Sequence, residues 1–86
     1  MMPDITIYTK PLCPFCSRAK NLLSAKGAPF TEIDITTAPD QRPVMIERAG
    51  GRSTVPQIFI DQRHVGGCDD LFALEEQGEL NTLLTK

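Results

Sequence analysis

The chain has 86 residues, 41% of them hydrophobic and 23% charged, with a formal net charge of −2, which is room for one domain spanning residues 1–86. The balance is too acidic for a phosphate-backbone binder, and no apolar run approaches the length of a bilayer span. Met1-Met2-Pro3-Asp4 lacks the charged-then-apolar layout of a secretory leader, so the expected setting is the cytoplasm, with no nucleic acid and no membrane as partner.

Asp4 to Thr9 alternates, with Ile5 and Ile7 facing one way, and reads as a first strand. Lys10 to Pro14 is a loop with two prolines. From Phe15 to Lys26 the spacing turns helical: Ala19, Leu22 and Leu23 share a face, while Arg18, Lys20 and Lys26 can point to water. Gly27 stands where a left-handed stop is needed. Phe30 to Ile35 reads as a second strand, with Ile33 and Ile35 inward, so the first three elements form a right-handed βαβ unit.

Ala38 to Ala49 can form a second helix with apolar surface from Val44, Met45 and Ile46. Pro39 fits its first turn, Pro43 fits less comfortably, and Gly50-Gly51 ends it. Gln57 to Ile60 and His64 to Val65 make a hairpin around Asp61-Gln62-Arg63. After Gly66-Gly67 a last helical stretch begins near Asp69-Asp70, carrying Leu71, Phe72 and Leu74, and Leu80, Leu83 and Leu84 continue the packing after Gly78. The order is βαβαββα, an α/β fold with a small mixed sheet and helices on its faces.

The chain has three cysteines, and an odd number without a leader argues against a structural disulfide framework. Cys13-Pro14-Phe15-Cys16 lies between a strand and a helix, the setting of a thioredoxin-like redox pair. Cys16 is one helical turn beyond Cys13, so both sulfurs can lie on one side and close a small ring. Pro14 suits the first helical position, which leaves Cys13 at the cap with free backbone N–H groups aimed at its sulfur, and Cys16 deeper.

A free thiol is only a few per cent ionised at neutral pH. Making it mostly thiolate takes roughly 4 kcal/mol of differential stabilisation. A helix dipole supplies at most about 2 kcal/mol, so direct N–H···S contacts and a cation must add to it. Lys10 is the obvious cation. Two other readings stay open at this point: a Cys₃His zinc site completed by His64 and Cys68, and a pair of inert core cysteines.

Thr54-Val55-Pro56-Gln57 precedes the third strand, and Pro56 is a candidate for a cis bond. Such a turn leaves the Val55 backbone free to pair with an extended peptide; the alternative is an ordinary trans proline. Gly66-Gly67-Cys68-Asp69-Asp70 reads as a turn into a helix start. Its N–H groups can hold a carboxylate, and Asp69 or Asp70 can cap the helix or meet an ammonium group. That pairing complements a free α-amino acid. Cys68 reads as a small buried residue before a third redox centre.

Taken together, Ile7-Tyr8-Thr9-Lys10, the Cys13–Cys16 motif, Thr54 to Ile60 and Gly66 to Leu71 resemble the glutaredoxins, and most closely their short bacterial dithiol type. The resemblance implies a thioredoxin-like fold with strand order 2-1-3-4 and helices on both faces. It implies an enzyme, a glutathione-dependent thiol–disulfide oxidoreductase acting on glutathione mixed disulfides and protein disulfides, with Cys13 and Cys16 catalytic. Glutathione is then a co-substrate, and no tightly bound cofactor or metal is expected.

By the same resemblance Val55 pairs with the cysteinyl backbone of glutathione beside Thr54, Phe15 and a cis Pro56. Gly67, Cys68, Asp69 and Asp70 take the γ-glutamyl end, and Lys10 and Arg42 face the glycine carboxylate. Partners are glutathione and glutathionylated or disulfide-bonded proteins, met by a monomer. Two departures stand out: Phe15 replaces a frequent tyrosine, and Gly50-Gly51 looks like a one-residue insertion. Pro14 and Cys16 argue against the iron–sulfur cluster binding of some relatives.

Overall fold

Residues 3–85 are described in the computed structural model. In chain order the elements are β1 (Ile5–Thr9), α1 (Pro14–Ala25), β2 (Thr31–Asp34), α2 (Gln41–Arg48), β3 (Gln57–Ile60), β4 (Arg63–Gly66), α3 (Cys68–Glu76) and α4 (Glu79–Leu84). The strands form one sheet in the order β2-β1-β3-β4, as the resemblance implies. β1 and β2 are parallel, and the other two pairs are antiparallel.

The two-residue period of the strands sorts the core into two layers. Ile5 and Ile7 of β1 and Ile58 and Ile60 of β3 point to one face. They pack there against Ala19 and Leu23 of α1, Leu71 and Leu74 of α3, and Leu80, Leu83 and Leu84 of α4. Tyr8 and Phe59 point to the other face, against Met45 of α2 and Ala49 at its end. Their rings meet edge to face at 5.8 Å. Helices therefore cover both faces, but unequally: three on one side and α2 on the other.

Five local expectations are corrected. The second helix starts at Gln41, not Ala38, because the Asp34 carboxylate takes both the N–H and the hydroxyl of Thr36, and Thr37 donates to the Asp34 carbonyl. Such side-chain bonds hold 34–38 as a turn. Pro43 then falls in the first helical turn, where its missing N–H costs nothing. Val44 is 41% exposed and stands outside the core cluster. The last helical stretch splits at Gly78, whose φ of 74° breaks the chain into α3 and α4. Lys26 does not simply point to water; it bridges to Glu75 at 2.6 Å and donates to Asn81 at 2.8 Å, tying the end of α1 to α3 and α4.

The topology places the chemistry. β1 runs into the cysteine turn, β3 starts after Pro56, and β4 ends at Gly66. Because β3 is antiparallel to both β1 and β4, these three junctions lie at the same end of the sheet.

Candidate active site

Cys13 is the N-cap of α1, with extended backbone angles (φ −111°, ψ 102°) and Pro14 at the first helical position. Its Sγ accepts the N–H of Cys16 at 3.2 Å, and its carbonyl accepts from Ser17 at 3.1 Å. A sulfur thus occupies the place a serine or aspartate oxygen commonly fills. No acidic residue stands in the first turn of α1 to compete for these donors. The two sulfurs are joined as a disulfide, with Cα atoms 5.2 Å apart. Cys13 is 8% exposed and Cys16 2%, so the outer and inner thiols fall as the helical spacing predicts.

Leu12, just before the pair, has φ 56° and is fully exposed. This left-handed backbone is unfavourable for a leucine by roughly 1–2 kcal/mol. It belongs to the turn that swings Cys13 onto the cap of α1.

A groove of about 280 Å³ opens beside the cysteine turn, lined by Phe15, Arg52, Thr54, Val55, Pro56 and the Gly67–Asp70 turn. The Val55–Pro56 bond is cis. Among the described residues neither the N–H nor the C=O of Val55 takes a hydrogen bond within the chain, so both are open to an extended peptide.

On the opposite wall, Gly67 caps α3 and Asp70 reaches back to accept its N–H at 2.9 Å. Arg52 donates to the same carboxylate oxygen at 3.1 Å. The Gly67 N–H and then the Arg52 guanidinium hold the Asp70 carboxyl below its usual range. The chain passes close here. Gly66 has φ 116°, and a Cβ on it would strike the Asp70 carboxylate and stand 2.9 Å from Arg52 Nη1. Asp70 therefore does the capping, while Asp69 stays exposed with no ion pair among the described residues.

Eight of the anticipated binding residues, Phe15, Thr54, Val55, Pro56, Gly67, Cys68, Asp69 and Asp70, meet in this groove. Lys10 and Arg42 are exposed and do not line it; Arg52 does, and sequence reasoning missed it. The available signal was its place in the short loop leading to Thr54, with the same charge sought at Lys10 and Arg42. Cys68 is buried, and burial pushes its thiol up, away from ionisation. His64 does not approach the cysteines as a metal set; its Nε2 lies 2.6 Å from Gln57 Oε1 and its ring stacks on Phe59. Among the described residues no group of three His, Cys, Asp or Glu side chains is placed to hold a metal.

Known proteins agree with this geometry. The glutaredoxin family model matches residues 5–65. Glutaredoxin 3 of Escherichia coli strain K12 is 55% identical over 83 residues, covering 96% of this chain and 99% of that protein. The solution structure of glutaredoxin from Brucella melitensis superposes with a TM-score of 0.83 at 59% identity, over 96% of this chain and 89% of that one. The crystal structure of a buckwheat glutaredoxin–glutathione complex superposes with a TM-score of 0.87 at 29% identity, over 96% and 77%. With its cysteine pair on the cap of α1 and its thioredoxin-like sheet, the chain belongs to the glutaredoxin family of thiol–disulfide oxidoreductases.

Proposed function

We propose that this chain reduces glutathione mixed disulfides with Cys13 as nucleophile, and protein disulfides with Cys16 as the resolving thiol. The carrying observation is that one groove joins Phe15 of the redox turn to the free Val55 backbone and to the start of α3.

The Cys13 thiolate attacks the glutathionyl sulfur of a mixed disulfide. The S–S bond breaks, and the protein thiolate leaves and takes a proton. Cys13 is then glutathionylated. A second glutathione thiolate attacks the same glutathionyl sulfur, forming oxidised glutathione and restoring Cys13. Alternatively Cys16 attacks Cys13, expels glutathione and forms the Cys13–Cys16 disulfide, the form seen here. Each step exchanges one S–S bond for another, so no outside oxidant is needed.

Glutathione would lie extended along Val55, with its γ-glutamyl carboxylate at the α3 N–H groups and its ammonium at Asp69. Thr54, Pro56, Gly67 and Cys68 shape the walls, Phe15 covers the apolar side, and Asp70 keeps the α3 turn in form. Lys10 and Arg42 were the cations sought for the glycine carboxylate. Arg52, which lies in the groove against Asp70, instead adds a cation at the γ-glutamyl end.

We assign the activity to the cytoplasm, where reducing conditions keep a dithiol open, and to a monomer whose residues 1–86 act as one domain. Among the described residues no helix is long and apolar enough to cross a membrane.

Steady-state assays on a glutathionylated peptide and on a protein disulfide test this reading. Cys13→Ser should lower both rates by roughly a thousandfold or more. Cys16→Ser should keep most of the first rate and lose the second. Equal loss of the mixed-disulfide rate in both variants would reject the monothiol route.

A further inference from the structure

The mechanism above makes no use of the best-buried polar side chain among the described residues. Gln57 opens β3 directly after Pro56 and is fully buried. Its Oε1 lies 2.6 Å from His64 Nε2 on β4, and its Nε2 donates to Thr54 Oγ at 3.3 Å. An amide oxygen only accepts and an amide nitrogen only donates. The contact to Gln57 Oε1 therefore requires the His64 proton on Nε2. The Thr54 oxygen, already accepting from Gln57, keeps its hydroxyl hydrogen to give away.

We propose that His64, acting through Gln57, is a positioning residue that fixes the Thr54 hydroxyl as a hydrogen-bond donor to an acceptor oxygen of the bound peptide substrate. The chain of donors runs from His64 Nε2–H to Gln57 Oε1, from Gln57 Nε2–H to Thr54 Oγ, and from Thr54 O–H into the groove it lines. A flipped Gln57 amide facing the Nδ1–H tautomer of His64 would run the donors the other way and draw the Thr54 hydroxyl hydrogen inward, so the tautomer decides the direction.

The imidazole is well anchored for this role. It stacks on Phe59 at 4.9 Å and 26°, and the Arg48 guanidinium lies 4.1 Å from the centre of that same ring. The charges around it are Arg48 at the end of α2, Arg52 in the loop before Thr54, and Asp70 on α3. Burial first, then the two arginines, hold its pKa below the usual histidine range against the opposing pull of Asp70. Burial favours the uncharged ring, in which one nitrogen donates and the other accepts, and the contact to Gln57 Oε1 assigns the donor to Nε2.

This inference rests on the proposed use of the groove by glutathione, and the tests separate the two. The probe is a glutathionylated peptide, with Cys13 alkylation by iodoacetamide as a reaction that does not use the groove. His64→Phe keeps a ring on Phe59 but removes the donor. It should raise KM about three- to tenfold, the equivalent of one hydrogen bond, with kcat and the alkylation rate within twofold of the parent. His64→Gln, which returns an N–H, should recover most of the loss. Adding His64→Phe to Thr54→Val should cost no more than Thr54→Val alone.

An unchanged KM overturns the proposal, as does full additivity in the double variant. A His64→Phe effect carried by kcat and melting temperature instead of KM also overturns it, by making His64 a packing residue only. Nitrogen-15 NMR of the parent protein checks it without any substitution: the imidazole should be the Nε2–H tautomer at neutral pH, and an Nδ1–H tautomer overturns it. If the parent protein fails to reduce the peptide at all, the reading of the groove fails instead.

Discussion

Two helices begin at the groove, and they treat their unpaired N–H groups in opposite ways. α1 starts at Cys13 with no carboxylate in its first turn, so its N–H groups meet a sulfur. α3 starts at Gly67 with Asp69 and Asp70 in its first turn, and Asp70 folds back onto the Gly67 N–H with Arg52 beside it. The same partial positive charge faces a reacting sulfur in one place, while in the other Asp70 takes up part of it at the Gly67 N–H. Reactivity here depends as much on which acidic residues are absent as on which cysteines are present.

The sharpest way to break the contrast is to disrupt the α3 end alone. Gly66→Ala forces a side chain onto a φ of 116° and into the Asp70 carboxylate. The expected cost is about 2–3 kcal/mol from backbone strain plus the lost cap. Thermal unfolding should show it as a drop of roughly 10–20 °C, and alkylation of reduced Cys13 should stay near the parental rate. Matching losses of both would mean the two helix starts are not independent.

Asp70→Asn is the gentler version. It should cost about 1 kcal/mol near neutral pH, the scale of a helix cap. The pH dependence has a definite sign. The folded carboxyl sits below its ordinary value of 3.8, so in acid the unfolded chain binds more protons than the folded one. The stabilisation is fully present above the ordinary carboxylate range and fades as pH falls through about 4 and lower. Denaturation curves of parent and variant should therefore converge in acid. The side chain is about half exposed, so added salt should narrow the gap too.

The smallest effect comes from making α1 resemble α3. Ser17→Asp adds a carboxylate to the first turn of α1, and at neutral pH it should slow iodoacetamide alkylation of reduced Cys13 by roughly two- to fivefold. The helix itself should become slightly more stable. Faster alkylation would contradict the electrostatic account of the pair.

Much of this was legible beforehand because it depends on local spacing. The apolar alternation of Ile5 and Ile7, the Cys13–Cys16 interval with Pro14 between, and the glycines that stop helices each encode a local geometry. The strand order 2-1-3-4 came from the resemblance and is the one observed. What stayed hidden depends on partners distant in sequence. Arg52 is one more surface cation until Asp70, 18 residues on, folds against it. Gln57 reads as a polar residue at the start of a strand, yet a bond across the hairpin to His64 pairs its amide oxygen. The late start of α2 was obscured by side-chain bonds from Asp34, which compete with helix in a stretch whose composition permits either.

The capping sulfur of α1 has a reciprocal consequence. The atom that closes the helix is also the atom that changes partners during turnover, so redox chemistry and folding free energy share a term. Whatever the helix contributes to holding charge on Cys13, that charge returns to the helix as stability, by equal amounts. Trimming Ala19 or Leu23, which seat α1 on the sheet, should therefore shift the thiol–disulfide equilibrium to the extent that it moves the α1 cap relative to the Cys13 sulfur, although neither residue lines the groove. Evolution of this enzyme's potential need not pass through the cysteine turn at all; it can proceed by repacking the far side of the helix.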